Sequence, residues 1–194
     1  MLMYVSPKET MKPQVISYID TYKYVAIDEM VRSGIPASII IAQGIIESNA
    51  GVSYLARESN NHFGIKCKSY WTGNSFYHPD DDRDANGKLI PSCFRKYNSV
   101  HDSYADHTDF LMQTPHYQAL FVYDKTDYEL WAKGLQLCGY ASCTTYGDDL
   151  IRIIKQYNLH ELDYYTVEYV DRSKLRQQKR SLSVRIKPAT KLYD

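Results

Sequence analysis

The chain has 194 residues, with 23 Lys or Arg against 23 Asp or Glu, so its formal net charge is zero. This length suffices for a domain with an apolar core, and the balanced charge provides no overall field that would attract a nucleic acid. No apolar run is long enough to cross a bilayer. The composition therefore predicts a globular protein with no nucleic-acid partner and no membrane span.

Two helices are predicted in the first quarter of the chain. Residues 14–33 carry apolar side chains at helical spacing, with Pro13 just inside the start and Gly34 just past the end. The second helix begins near Pro36 and is stopped by Gly51. Because its apolar residues lie on nearly every side, we expect this helix to be buried.

A β-hairpin is predicted between Trp71 and Lys96, where aromatic and β-branched residues alternate with polar ones around the turn dipeptide Asn86-Gly87. The remaining patterns are helical. They predict a short helix before the hairpin and three helices after it, at residues 53–59, 100–113, 128–137 and 148–157. The predicted fold class is α+β, with a mainly helical body and a small hairpin lobe.

Glu47 is the first candidate for chemistry, because it lies near the end of the apolar second helix. An ionised carboxylate is costly in such a place, so burial should raise its pKa. A protonated acid beside a cleft can protonate the leaving oxygen of a glycoside. Gln43 and Gly44 lie one turn earlier on the same face, and Gly44 would let a substrate or a second backbone approach closely. The alternative for an isolated Glu near a helix end is a side chain that is exposed or paired with a nearby Arg.

The four cysteines permit two disulfides, and the sequence does not choose among the three pairings. Cys67 and Cys93 bracket the predicted hairpin, so a bond between them would hold it to the body in an oxidising compartment. Cys138 and Cys143 form either a second pair or two free thiols. Because the chain has no CxxC pair and no two His at i+3 or i+4, no metal site is predicted.

Four blocks of sequence between about residues 14 and 160 resemble glycoside hydrolase family 73. They are AQGIIESNAG at 42–51, NNHFGIK at 60–66, FRKYNS at 94–99 with Tyr104, Asp106, His107 and Phe110-Leu111, and Trp131-Ala132, Leu135, Gly139-Tyr140-Ala141, Tyr146 and Leu150-Ile151. This glucosaminidase family includes bacterial autolysins, flagellar wall-piercing enzymes and phage lysins. The resemblance implies a lysozyme-like fold, in which a helical body and a small β-lobe flank a sugar-binding groove.

The resemblance also implies three catalytic residues. Glu47 takes the place of the family's catalytic acid. The second carboxylate of the family lies on the β-lobe, and counting along the hairpin places Asp82 closest, with Asp81 and Asp84 as alternatives. Tyr140 matches the functional tyrosine of the family's Gly-Tyr-Ala-Thr motif, whose hydroxyl would orient the N-acetyl group of the substrate.

The sequence departs from the family in the loop that follows Tyr140, where Ser142-Cys143 stands in place of the usual Thr-Asp. For His62 the alternative to substrate binding is a structural hydrogen bond, and for the aromatic residues it is a place in the core. The substrate contacts predicted are Gln43, Asn61, His62, Phe63, Trp71 and Tyr146.

Three segments are predicted: an N-terminal extension at residues 1–12, a glucosaminidase catalytic domain at 13–162 and a basic C-terminal extension at 163–194. From Tyr164 onward there are eight Lys or Arg against three Asp or Glu. A solvated tail is the ordinary interpretation of such a segment. Attachment to a partner or to an anionic wall polymer is the alternative.

The predicted reaction is hydrolysis of the β-1,4 bond after N-acetylglucosamine in peptidoglycan glycan strands. We expect a monomer that needs no metal and no organic cofactor. The alternatives are a muramidase or lytic transglycosylase of the same superfamily, or a non-catalytic module of a cell wall or virion. No signal peptide is visible at the start. The expected location is the cell envelope, the periplasm, the medium or a phage particle.

Overall fold

A computed structural model describes residues 11–165 of the chain, so most of both predicted extensions lies outside the described residues. Within this range the chain forms a helical body and a two-stranded hairpin, as predicted. The helices are α1 (Pro13–Ser33), α2 (Ala37–Ser48), α3 (Tyr54–Ser59), α4 (Val100–Gln113), α5 (Tyr128–Leu137) and α6 (Tyr146–Gln156).

Each predicted helix is found, and α6 begins two residues earlier than predicted. Two 3-10 helices, Pro115–Val122 and Leu159–Tyr164, were not predicted from the sequence. Helices of this kind are short, so they show too few turns for a hydrophobic period to stand out.

Helix α2 lies at the centre of the body, where it packs against α1, α5, α6 and the second 3-10 helix. Its residues Ile39, Ile40 and Ile41 are fully buried, which confirms the predicted burial of this helix. At Gly44 a Cβ atom would lie 2.5 Å from the hydroxyl oxygen of Tyr18 in α1. The close approach predicted at Gly44 is therefore made by a tyrosine of the core and not by a substrate or a second backbone.

The hairpin consists of β1 (Ser75–Arg83) and β2 (Leu89–Arg95), paired antiparallel. The register is regular from Ser75 to Pro79 and then shifts before Arg83, so the acidic residues 80–82 lie in an irregular part of β1. A bulged strand bends and re-aims its side chains. This irregularity determines where the three carboxylates of residues 80–82 point.

A disulfide between Cys67 and Cys93 joins the hairpin to the segment that precedes it. The backbone N–H of Cys67 also donates to the carbonyl oxygen of Cys93 at 2.7 Å. Of the pairings that the sequence left open, the structure therefore contains the one that brackets the hairpin. Cys138 and Cys143 are two free thiols.

The second 3-10 helix caps the start of α2 from a distant part of the chain. The helix begins after Pro36, which provides no side-chain cap. Instead, the carboxylate of Asp163 accepts one hydrogen bond from the backbone N–H of Ser38 at 2.8 Å and another from its hydroxyl at 2.6 Å. Asp163 is buried, and this burial raises its pKa to about 7. The boundary predicted at residue 162 stays a prediction, although Asp163 packs within the body.

We expect Asp163→Ala to lower the free energy of unfolding by about 1–3 kcal/mol, because it leaves two buried donors of Ser38 without an acceptor. Urea denaturation followed by circular dichroism measures the difference. The control is Asp20→Ala, which removes only an exposed ion pair with Lys23 in α1 and should cost less than about 0.5 kcal/mol. Equal stability of the two variants would contradict the capping role.

Candidate active site

A cleft of about 580 Å³ lies between the helical body and the hairpin. Its walls come from the end of α2, the start of α3, the loop that follows α3, the hairpin, α4 and the loop after α5. The residues that line it include Glu47, Tyr54, Phe63, Lys66, His78, Asp80 and Tyr140. The cleft therefore gathers side chains from the first three sequence blocks, the hairpin and the loop of the fourth block.

Glu47 lies at the bottom of this cleft, on the last turn of α2. Burial raises the pKa of Glu47 above its ordinary value of 4.5, because the charged form loses hydration in an apolar surrounding. A hydrogen bond from the hydroxyl of Tyr146 to Oε1 of Glu47, at 2.8 Å, acts in the opposite direction and offsets part of this effect. The balance favours a carboxylic acid that keeps its proton to a higher pH than an exposed Glu.

Tyr146 receives its own hydrogen bond from Gln43, whose Nε2 donates to the tyrosine oxygen at 3.1 Å. Because the NH₂ nitrogen of Gln43 can only donate, the proton of the tyrosine hydroxyl is left to point at Glu47. Gln43 is fully buried one turn before Glu47, and Tyr146 is the first residue of α6. The sequence placed these two residues in contact with substrate, whereas the structure places them behind the acid.

Tyr140 lines the cleft beside this chain of hydrogen bonds. Its ring stacks on that of Tyr146, with centroids 5.4 Å apart, and burial raises its pKa. The turn that carries it starts at Gly139, which has a φ of 71°, and the backbone N–H of Tyr140 donates to the carbonyl oxygen of Leu135. The structure therefore brings Tyr140 to the same cleft as Glu47, and its role toward the substrate stays a prediction.

The loop after α3 is held by Asn61, which is buried and uses its whole side-chain amide. The amide oxygen accepts from the backbone N–H groups of Phe63 and Ile65, and the amide nitrogen donates to the carbonyl oxygens of Ile65 and Arg95. This network joins the loop to β2 and presents Phe63 to the cleft. Asn61 thus shapes the loop, and Phe63 lines the cleft although only 4% of its surface is exposed.

His62 points away from the cleft into the helical body. Its Nδ1 shares a hydrogen bond of 2.9 Å with the hydroxyl of Tyr18, which also accepts one from the hydroxyl of Tyr104 at 2.8 Å. Burial lowers the pKa of His62 to about 4, so the ring is neutral at pH 7. Of the two roles considered from the sequence, the geometry fits the structural hydrogen bond.

Trp71 packs on the hairpin side of the molecule. The guanidinium group of Arg95 lies 4.7 Å from the centre of its ring system, and Tyr97 meets it edge-on at 6.0 Å. Arg95 is itself fixed by two hydrogen bonds of 2.8 Å to the carboxylate of Asp106. The geometry therefore places Trp71 in a packed layer that supports β2.

Lys66 binds all three carboxylates of the irregular part of β1. Its Nζ lies 2.9 Å from Asp80, 2.5 Å from Asp81 and 2.9 Å from Asp82. The ammonium group holds the pKa of Asp81 and of Asp82 below the usual range of a carboxyl. Asp84 lies further along, where its carboxylate accepts from the backbone N–H groups of the turn. Asp80 is the member of the run that lines the cleft with Glu47.

Several residues of the cleft were missed by the sequence analysis. Lys66 stands inside the second sequence block, so its charge was the signal that could have identified it. Asp80 belongs to the acidic run 80–84, within which the choice of the second carboxylate was left open. Tyr54 and His78 carry no such signal, because an aromatic residue in a short helix or strand is commonly part of the core.

Within residues 11–165, no helix has the length and apolarity that a membrane span requires. The same part of the chain holds no group of three His, Cys, Asp or Glu side chains arranged for a metal ion.

Comparison with known proteins identifies the family of this chain. Residues 23–159 match the profile of the glucosaminidase family, described as mannosyl-glycoprotein endo-β-N-acetylglucosaminidase. The chain is 35% identical over 129 residues to the exo-glucosaminidase LytG of Bacillus subtilis, a match that covers 65% of this chain and 45% of LytG. It is 35% identical over 140 residues to a probable N-acetylmuramidase of Lactococcus lactis, with 68% and 31% covered.

Among solved structures, the catalytic domain of the autolysin Auto from Listeria monocytogenes superposes with a TM-score of 0.68 at 25% identity, covering 79% of this chain and 89% of that domain. The chain spans less than half the length of the two curated relatives. The family profile, by contrast, covers well over half of the chain and includes Glu47, Tyr140 and Tyr146. The chain therefore belongs to the glucosaminidase family, glycoside hydrolase family 73, as its four sequence blocks predicted.

Proposed function

We propose that this protein hydrolyses the β-1,4 bond after N-acetylglucosamine in peptidoglycan, with Glu47 as the general acid. The observation that carries the proposal is the position of Glu47 on the wall of a cleft, where burial raises the pKa of its carboxyl group. An acid with this property can protonate the glycosidic oxygen as the bond to the leaving sugar breaks. Family membership supplies the substrate class.

The acidic run of β1 provides the second carboxylate that this chemistry needs. Glycoside hydrolases pair a protonated acid with an ionised carboxylate across the scissile bond. Here the two environments differ in the required direction, because burial acts on Glu47 whereas the ammonium group of Lys66 faces the run. Asp82 was the residue closest by counting along the sequence, but Asp80 lines the cleft. We assign the assisting role to Asp80, with Asp82 as the alternative.

Tyr140 is the residue placed to position the substrate. Its ring is held by Tyr146 on one side and by His107 on another, so its orientation is fixed before substrate binds. A hydroxyl fixed in this way can bond to the acetamido group of an N-acetylated sugar without a further loss of side-chain entropy. Phe63 also lines the cleft, but its ring is buried against His107 and Tyr104 and supports the wall from within.

A muramidase is the second candidate, and the similarity to the probable N-acetylmuramidase of Lactococcus lactis favours it. The same acid would serve, because both enzymes cut a β-1,4 bond of the same alternating strand, with the order of the two sugars across that bond reversed. A non-catalytic wall-binding module would have no use for a buried acid with a dedicated hydrogen-bond chain behind it. In either enzymatic case the substrate is the cell wall, so the proposed place of action is outside the cytoplasmic membrane.

We expect Glu47→Gln to lower the rate of peptidoglycan digestion by about 10²–10⁴-fold, because the amide has no proton to donate. The fragments released by each variant are reduced with borohydride and their ends are identified by mass spectrometry. The matched control is Glu58→Gln on the exposed side of α3, which should digest at the wild-type rate.

Reduced N-acetylglucosamine ends that disappear with Glu47→Gln would support both the bond and the acid. Muramic acid or anhydromuramic acid ends would keep the acid and overturn the assignment of the bond. Undiminished digestion by Glu47→Gln would overturn the role of Glu47. A wild-type chain that releases no fragments would overturn the enzymatic proposal.

The pH profile of kcat/KM tests the state of Glu47. The general acid must be protonated, so the rate should fall as the pH rises through its pKa, at a pH above that of an ordinary Glu side chain. Tyr146→Phe removes the hydrogen bond that stabilises the carboxylate of Glu47, so the pKa of Glu47 rises. The falling limb of the profile should therefore move to higher pH. Tyr157→Phe, at the end of α6, should leave the profile unchanged. A limb that moves to lower pH in Tyr146→Phe would contradict the assignment.

Three matched substitutions separate the roles of the acidic residues. We expect Asp80→Asn to lower kcat about 10²-fold by removing a charge that stabilises the transition state, and Asp82→Asn to have a smaller effect. Asp84→Asn is the control, because an asparagine oxygen still accepts the two hydrogen bonds of the turn. Steady-state kinetics on solubilised glycan strands gives kcat for each variant. A larger loss in Asp82→Asn than in Asp80→Asn would return the role to Asp82.

A further inference from the structure

Three aromatic side chains, of which two line the cleft, meet between α3 and β1 and are here called the rim cluster: Tyr54, Phe76 and His78. The ring of Tyr54 lies 5.9 Å from that of Phe76 and 5.5 Å from that of His78, and the two hairpin rings are 6.3 Å apart. Tyr54 is the first residue of α3, whereas Phe76 and His78 lie on β1. The rim cluster therefore brings rings from the body and from the hairpin together.

The exposure of the rim cluster is unusual for three rings in contact. Phe76 and His78 lie two residues apart, so they project from the same face of β1, where both are half-buried. Tyr54 rests against them but leaves 54% of its surface exposed. Tyr54 and His78 also line the cleft that contains Glu47. A large ring left in water inside a cleft is typical of a surface that binds a ligand.

We infer that Tyr54 and His78 form a stacking platform for an N-acetylated sugar ring of the glycan strand. This sugar lies at least one residue of the strand away from the bond that is cut. This inference rests on the proposed function and adds a binding subsite to it. The flat face of a tyrosine ring packs against the C–H groups of a pyranose, and its hydroxyl and the imidazole nitrogens offer polar contacts at the edge. The two rings come from different elements, so the platform exists only in the folded protein.

The two residues of the platform lie outside the four sequence blocks that carry the family resemblance. Tyr54 lies between the first two sequence blocks that carry the family resemblance, and His78 lies in the hairpin outside all four. The catalytic residues Glu47 and Tyr140, in contrast, lie inside blocks. A subsite built from residues outside the blocks can set the preference for strand length or for sugar substituents without altering the chemistry.

An alternative role for the rim cluster is mechanical, because the same rings could only fasten the hairpin to α3. Both roles predict a loss of stability when Tyr54 is truncated, so unfolding measurements alone do not separate them. Only the binding role predicts that truncation of Tyr54 lowers the affinity for sugar. It also predicts that a variant with another aromatic ring at this position keeps that affinity.

The test is a titration with a soluble peptidoglycan tetrasaccharide of two disaccharide repeats, performed on the full chain with Glu47→Gln so that the ligand is not cut. Isothermal calorimetry gives Kd for this parent and for three derivatives of it. We expect Tyr54→Ala to raise Kd on the order of ten-fold, and Tyr54→Trp to keep Kd within about two-fold of the parent. The matched control is Tyr77→Ala, an exposed ring on the opposite face of β1, which should leave Kd unchanged.

An unchanged Kd in Tyr54→Ala would overturn the platform and leave the proposed function intact. Equal weakening by Tyr77→Ala would also overturn it, because the loss would then reflect the hairpin in general. A parent that fails to bind the tetrasaccharide would overturn the platform as well, and the digestion with Glu47→Gln would decide the proposed function separately. Thermal unfolding of each variant shows that the comparison is made between folded proteins.

Discussion

The burial of one carboxyl group at the end of an apolar helix is the constraint on which the rest of this structure depends. Helix α2 is enclosed by the other helices, and Glu47 on its last turn lines the cleft. The free energy of ionising the group in that place is unfavourable, and the protein limits this cost with a single donor, Tyr146. Gln43 in turn fixes the direction of that donor. The pKa of the acid is therefore set by the packing of α2 against α6.

The hairpin supplies the opposite electrostatic environment, and several interactions hold it in place. A disulfide joins Cys67 to Cys93, and the side-chain amide of Asn61 bonds to backbone groups on both sides of the junction. Lys66 follows directly in this loop and draws the acidic part of β1 together. Lys66 lowers the pKa of Asp81 and of Asp82 in this lobe, whereas burial raises the pKa of Glu47. Such a separation of pKa values is what acid-assisted hydrolysis of a glycoside requires.

Much of the polar chemistry inside the body serves structure. The hydroxyl groups of Tyr18 and Tyr104 and the imidazole of His62 form one buried chain of hydrogen bonds, which satisfies groups that would otherwise be costly to bury. His107 is also buried, where it stacks on Phe63 with ring centroids 3.9 Å apart. Burial lowers its pKa to about 3, so it behaves as a neutral ring beneath the floor of the cleft. The high tyrosine content thus fills the core as well as the cleft.

The sequence by itself determined the α-helices, the hairpin and the family, and it placed Glu47 near the end of a buried helix. Each of these depends on a local pattern: the apolar period of α2 placed Glu47 in a buried helix, and Asn86-Gly87 marked the turn of the hairpin. The sequence did not determine which polar residues face the cleft. Gln43 and Asn61 stand in family blocks beside Glu47 and Phe63, yet their hydrogen bonds turn them into the interior.

Only the tertiary structure decided the remaining features, because each depends on elements far apart in the chain. Asp163 caps α2 across 125 residues, and Tyr146 reaches Glu47 across 99. The member of the acidic run that lines the cleft follows from the irregular register of β1, which shifts side chains in a way that counting along the sequence does not show. The meeting of Tyr54 with His78 likewise arises where α3 packs against β1. Local patterns fix the elements, whereas their packing fixes which side chains share a cleft.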